Sequence, residues 1–226
     1  MKINDVTIRK NSKTVVEIPI ARLPSNTPID LVANVYRSSK PGPTFLVLGG
    51  VHGDEVNGIE IVKRAQRQGM YNELKKGTVI SIPLLNVYGF INFSRGLPDG
   101  KDVNRSFPGS KSGSLASRVA HTLTHFILPQ VDFAVDFHTG GAAVYNYPQS
   151  RVDADDPEAM RLAEEFGMPM MIKGGLISKS LRKTASNMNI PMVVFEGGES
   201  LRMDEFSIAE GIKGIERVLI ARGMKD

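Results

Sequence analysis

The chain has 226 residues, with 28 Lys+Arg against 24 Asp+Glu for a formal charge of +4, and it contains no cysteine. At about 150 residues per domain this length allows one or two domains, and 41% apolar with 23% charged residues excludes a disordered tail or a fibre. Disulfides, thiolate metal sites, iron–sulfur clusters and thiol nucleophiles are excluded with the cysteines, and no apolar run approaches the roughly 18–20 residues of a membrane helix. The pI near 9.3 raises the question of nucleic acid, but the basic residues are dispersed in pairs such as Lys63-Arg64 and Lys75-Lys76. Neither a nucleic-acid partner nor a membrane is expected. The polar start, Met1-Lys2-Ile3-Asn4-Asp5, lacks the apolar core of a secretory signal, so a cytoplasmic location is the default expectation.

In chain order, Val6 to Ile20 and Ile29 to Arg37 alternate with β-branched residues, as strands do. Pro41-Gly42-Pro43 marks a turn, and Thr44 to Leu48 reads as a strand buried on both faces. It runs into Gly49-Gly50-Val51-His52-Gly53-Asp54-Glu55, then a helix from about Asn57 to Gln68. Val79 to Leu85 is a second buried strand, ending at Asn86. Tyr88 to Ser114 is rich in Gly, Pro and Ser without clear period, and structureless loops beyond about 12–15 residues are often functional. A helix is expected over Leu115 to Leu128, a strand over Val131 to Phe137 and a helix over Pro157 to Phe166. Weak strand character follows near Pro169 to Lys173, then a strand over Met192 to Phe195 and a last helix over Glu205 to Arg222. The alternation predicts a three-layer α/β/α domain around a mixed, mostly parallel sheet.

In such folds ligands bind outside the carboxyl ends of strands, and that is where the reactive side chains fall. A catalytic zinc site needs three nitrogen or oxygen ligands and an open position, and two histidines with a glutamate form one standard set. His52 and Glu55 follow one strand on a glycine-rich turn, and His138 ends another, with Asp136 placed to orient its imidazole. The competing reading is a helix-capping acid beside an ordinary loop histidine. Glu196 ends a third strand before Gly197-Gly198, where an acid can act as general base, with Glu199 a more exposed competitor. His121 and His125 have the i,i+4 spacing of a metal pair but no acidic neighbour, and read as a solvated surface pair. In the loop, Arg95 and Asp102-Val103-Asn104-Arg105 offer planar forks for a substrate carboxylate and for an oxyanion. Asp102 is expected to buttress the turn. No phosphate loop and no serine nucleophile elbow is present.

The motifs Gly50-Val51-His52-Gly53-Asp54-Glu55, Asp102-Val103-Asn104-Arg105, Asp136-Phe137-His138 and Phe195-Glu196 together resemble the succinylglutamate desuccinylase/aspartoacylase family, part of the zinc carboxypeptidase-like superfamily. The resemblance runs from about Phe45 to Glu199, and the Asp136-to-Gly141 string looks like the bacterial branch that deacylates N-acyl amino acids. It implies one zinc ion per chain held by His52, Glu55 and His138, and Glu196 as the residue that activates water and protonates the leaving amine. It further implies Asn104 and Arg105 as holders of the substrate carboxylate and Arg95 as the group that polarises the scissile carbonyl. Asn86-Val87-Tyr88-Gly89 resembles a superfamily turn with its proline replaced. Family members usually continue into a β-rich C-terminal domain. The expectation here is a single catalytic domain over residues 1–226 without it.

The function expected is zinc-dependent cleavage of the N-acyl amide bond of a small, carboxylate-bearing, anionic amino acid. A metallocarboxypeptidase acting on peptides or cell-wall fragments is the alternative enzyme, and a metal-free binding module the alternative of another class. The acyl group, the amine, the oligomeric state and the identity of the metal are not legible in the residues.

Overall fold

The continuous apolar runs become strands buried along their whole length: β5 (Thr44–Gly49), β6 (Thr78–Ile82) and β7 (Phe133–Gly140) expose no residue. The structure, a computed structural model, describes residues 1–226. A two-stranded ribbon, β1 (Lys2–Ile3) with β2 (Val6–Thr7), precedes the main sheet. That sheet adds β3 (Ser12–Arg22), β4 (Pro28–Arg37), β8 (Asn146–Val152), β9 (Met170–Lys173) and β10 (Met192–Glu199), in the order β3-β4-β6-β5-β7-β10-β8-β9. The central run β6-β5-β7-β10 is parallel. β4 joins it antiparallel on one side and β8 on the other, with β3 antiparallel to β4 and β9 parallel to β8. The mixed, mostly parallel α/β sheet expected from the sequence is the one observed.

Side chains alternate across a strand, and the two faces carry separate cores. Phe45, Val47, Phe133, Val135, Phe137, Val193 and Phe195 lie under α1 (Val56–Arg67), α4 (Pro157–Phe166) and α6 (Glu205–Ala221). Leu46, Leu48, Ala134 and Met192 lie under α3 (Leu115–Thr122) and α5 (Leu181–Asn187). Continuing the alternation along β7 and β10 sends Asp136, His138, Val194 and Glu196 to the α3/α5 side. The parallel register pairs Val194 with Asp136 and Glu196 with His138. Glu196 and His138 are therefore neighbours by the geometry of the sheet.

The chain leaves β5 through α1 to β6 on one side, while β7 lies on the other side of β5. This reversal opens a crevice at the carboxyl ends of β5 and β7. Its walls are held closely. A Cβ at Gly58 of α1 would sit 2.4 Å from the Phe137 carbonyl oxygen, so only glycine lets the helix lie this close to β7. Phe137 packs against Phe166 and Phe195, with ring centroids 5.9 and 5.5 Å away, and deleting such a buried ring costs about 3–5 kcal/mol. The strand that carries His138 is thus anchored one residue away.

The differences from the sequence reading have local causes. The first expected strand divides into β2 and β3, with Asn11 turning between them at positive φ, 51°. β6 stops at Ile82 because Pro83 has no N–H to pair. β7 and β10 run past their expected ends to Gly140 and Glu199, so His138 and Glu196 stand within strands. The helix expected to Leu128 ends at Thr122 and continues as a π turn, Leu123–Ile127, and a 3-10 turn, Leu128–Gln130, where Pro129 blocks a regular ladder. The stretch Tyr88 to Ser114 holds all but the first residue of α2 (Val87–Ile91) and a 3-10 turn, Val103–Arg105. β8 and α5 arise where no regular pattern was expected. No helix is long and apolar enough to cross a membrane.

Candidate metal centre and active site

The turn after β5 is tight because its backbone touches other backbone. Gly50 has φ +63°, and a Cβ on Gly53 would lie 2.0 Å from the Gly89 carbonyl carbon of α2. His52 and Glu55 are consequently buried, each 2% exposed. Glu55 Oε1 lies 2.7 Å from His52 Nδ1, and Glu55 Oε2 lies 2.7 Å from His138 Nδ1. The two Nδ1 atoms are 3.1 Å apart. Each ring turns its other nitrogen to a carboxylate: His52 Nε2 to Asp102 Oδ1 at 3.2 Å, His138 Nε2 to Asp136 Oδ2 at 2.7 Å.

This donor set fits a divalent metal. When Nε2–H donates to an aspartate, the Nδ1 lone pair is free to ligate, which is how metal-binding imidazoles are usually oriented. The three ligand atoms of His52, Glu55 and His138 lie within 4.8 Å of one another, and all three residues are buried. Three protein ligands with an open side facing a cavity is the catalytic rather than the structural arrangement.

The electrostatics show a site that wants a cation. Burial opposes charge on His52, but Glu55 and the hydrogen bonds to Asp102 and Glu55 outweigh it and hold its pKa above the usual imidazole value. His138 is likewise raised well above that value: burial opposes its charge, but Asp136 and Glu55 overcome it. Burial opposes charge on Glu55 too, yet His138 and His52 hold its carboxyl far below the usual range. Both shifts favour protonated imidazoles in the metal-free chain, and a metal bound there would have to displace those protons. Zinc binding near pH 7 is therefore expected to release protons, seen as a buffer-dependent heat in calorimetry; equal heats in buffers of different ionisation enthalpy would contradict it.

Arg95 is placed by its neighbours. Asn86 caps α2, accepting from Gly89 N at 2.8 Å, while its Nδ2 donates to the Arg95 carbonyl at 3.2 Å. The Arg95 guanidinium grips Asp102 Oδ2 through Nε and Nη2, at 3.2 and 3.1 Å, and reaches Glu55 Oε1 through Nη1 at 3.2 Å. Asp102 buttresses its turn as expected, accepting from Asn104 N at 2.7 Å. It also orients His52 and Arg95, which the spacing did not show. Asp102→Asn is expected to weaken zinc affinity on the order of 10- to 100-fold with the fold retained, measured by chelator competition; unchanged affinity would remove Asp102 from this role. Asn104 Oδ1 accepts from Leu181 N at 2.8 Å and so ties the loop to the start of α5, leaving its amide nitrogen without a protein partner.

The seven residues to which the family resemblance gives roles at the metal or the substrate, His52, Glu55, Arg95, Asn104, Arg105, His138 and Glu196, line one cavity of about 360 Å³. Glu196 stands on its wall beside His138 in the sheet, its side chain 15% exposed. Burial pushes its carboxyl above the usual range, an effect that His138 and Arg151 oppose. Glu199 pairs instead with Arg202, at 3.1 Å. His121 and His125 stack 5.2 Å apart in a separate pocket with Lys111 and Arg118 and no acid. The cavity residues not anticipated include Asn146 and Arg151 on β8, and Arg182 on α5. Arg182 is half-buried, and its Nη1 has no hydrogen-bond partner. Ser180, which caps α5 by accepting from Lys183 N at 3.1 Å, was the one local signal that could have revealed that helix.

The model of the succinylglutamate desuccinylase/aspartoacylase catalytic domain matches residues 41–222. An N-alpha-acetyl-L-2,4-diaminobutyric acid deacetylase of Halomonas elongata is 32% identical over 195 residues, covering 81% of this chain and 56% of that protein. A succinylglutamate desuccinylase/aspartoacylase structure from Rhodobacter sphaeroides superposes with a TM-score of 0.84 at 29% identity, over 95% of this chain and 66% of that one. The chain thus spans just over half of the first relative and just under two thirds of the second. A metallo-carboxypeptidase from Burkholderia cenocepacia shares the fold alone, with a TM-score of 0.68 at 12% identity over 92% of this chain and 64% of that one. With its motifs, its sheet and most of its length accounted for in this way, the chain belongs to the succinylglutamate desuccinylase/aspartoacylase family.

Proposed function

We propose that the protein is a zinc-dependent deacylase that hydrolyses the N-acyl amide bond of a small, carboxylate-bearing amino acid, with one zinc ion per chain. The observation that carries this reading is the buried His52–Glu55–His138 cluster with Glu196 beside His138 in the sheet, all lining one cavity with four arginines. A cavity of about 360 Å³ suits a small molecule, and four guanidiniums, from Arg95, Arg105, Arg151 and Arg182, favour an anion.

A zinc ion held by His52, Glu55 and His138 would supply Lewis acidity for the carbonyl and for the attacking water. Glu196 takes the proton of that water and returns it to the amine as the amide bond breaks. A carboxyl raised by burial suits both halves of this transfer, since it takes up the proton more readily than an ordinary carboxylate and can still return it. Arg95, fixed by Asp102, adds positive charge where the carbonyl oxygen becomes anionic. Asn104 and Arg105 on the loop and Arg182 on α5 hold the substrate carboxylate, with Asn104 joining the two elements.

The test is amine release by the zinc-loaded protein from N-acetyl-L-aspartate, N-succinyl-L-glutamate and N-α-acetyl-L-2,4-diaminobutyrate, with dipeptides assayed in parallel. Hydrolysis of at least one N-acyl amino acid in preference to every dipeptide is expected. Preference for the dipeptides would make the protein a carboxypeptidase, and no turnover of either group would overturn the deacylase reading.

A further inference from the structure

The partners of Glu196 come from an irregular strand. In the antiparallel pairing of β10 with β8, Glu196 faces Gln149 and Gly198 faces Asn146. Two residues along β10 are thus matched by three along β8, so β8 carries a bulge. In a regular ladder Tyr147 would face Gly198 and project to the same side as Glu196. Instead Tyr147 packs against Phe206 of α6, with centroids 5.6 Å apart, on the opposite face of the sheet. The extra residue brings Asn146 to the active-site side. Pro148 lies inside the bulge, where a missing N–H breaks no regular ladder bond. Bulges beside active sites commonly re-aim a side chain in this way.

Asn146 so placed donates Nδ2–H to Glu196 Oε2 at 2.7 Å. On the other edge of the carboxylate, Arg151 Nε stands 3.4 Å from Oε1, without hydrogen-bond geometry. The carboxylate is therefore anchored firmly by one oxygen, while the other has only a loose counter-charge. A glutamate free to rotate about its last torsion would present either oxygen, or neither, to the reacting water.

We propose that Asn146 is a positioning residue for Glu196: by holding Oε2 it fixes Oε1 as the atom that takes up and returns the proton. The proposal rests on the deacylase reading, in which Glu196 moves that proton. Asn146 makes its side-chain hydrogen bond to Glu196 and to none of His52, Glu55 or His138. Its loss should lower kcat and leave KM, zinc content and melting temperature unchanged.

The experiment is a double-mutant cycle with the substrate of the N-acyl panel that the wild-type protein cleaves fastest. Asn146→Ala should reduce kcat on the order of 10- to 100-fold. Asn146→Asp keeps the shape of the side chain but sets a second carboxylate against Glu196, and it should lose at least as much. In a Glu196→Gln background Asn146→Ala should cause no further loss, because residues that act as a unit are non-additive. A loss of the same factor in both backgrounds would make Asn146 merely structural and overturn the proposal. A rise in KM with kcat unchanged would make it a substrate contact, and unchanged kcat in both variants would give it no role. If the wild-type protein cleaves none of the N-acyl amino acids, the deacylase reading fails and takes this proposal with it. If the wild type is active but Glu196→Gln is equally so, the role of Glu196 fails instead.

Discussion

Glu196→Gln is expected to keep its zinc and lose turnover by about 10²–10⁴-fold, the usual contribution of a positioned acid–base group. The substitution is nearly isosteric. It retains an oxygen for Asn146, at the 2.7 Å contact seen for Oε2, and removes the acid–base oxygen beside Arg151. Glu196 is no ligand in the His52–Glu55–His138 cluster, so metal content should not change. The comparison to make is kcat against zinc per chain in the same preparation. A variant with full zinc and near-native kcat would show that another group moves the proton, and Glu199 is poorly placed for it because it pairs with Arg202.

His138→Ala should abolish stoichiometric zinc binding and, with it, activity. Removing a hydrogen-bond partner of a ligand costs on the order of 10- to 100-fold in affinity, and removing the ligand itself should cost more. The change also exposes a liability in the fold. Asp136 is 1% exposed, its Oδ1 has no partner, and its Oδ2 would lose the 2.7 Å contact to His138 Nε2. Glu55 would lose its contact to His138 Nδ1 as well, leaving two buried carboxylates short of counter-charge. Breaking a buried charged pair from one side costs about 3–5 kcal/mol. Denaturant unfolding of the metal-free proteins should therefore show a marked destabilisation of His138→Ala. A variant that binds one zinc per chain with wild-type affinity would remove His138 from the ligand set.

The site was legible where the chemistry lies in short, ordered motifs. His52 and Glu55 sit three apart on one turn, and His138 and Glu196 end apolar runs whose burial is plain from composition. The parallel register that sets Glu196 beside His138 follows from β7 and β10 being neighbours, which no local pattern states. What the sequence concealed lies on irregular elements. Asn146 and Arg151 belong to a strand interrupted by Pro148 and bent by a bulge, and Arg182 to a helix of seven residues. Neither element carries the period of apolar residues by which strands and helices are recognised. Asp102 was underestimated for a related reason. Its capping bond to Asn104 is local, whereas its contact with His52 spans 50 positions. The long loop was read as functional because it lacked a pattern, and the structure shows why: it carries Arg95, Asn104 and Arg105 into the cavity over one short helix and one 3-10 turn.

The most direct test of the central claim is to strip the protein of metal, restore zinc in steps, and follow amine release from the best N-acyl amino acid at each step. Activity should rise in proportion to bound zinc and level off at one zinc per chain, and His138→Ala should stay inactive throughout. Full activity in the metal-stripped protein, or no activity at one bound zinc per chain, would contradict the account.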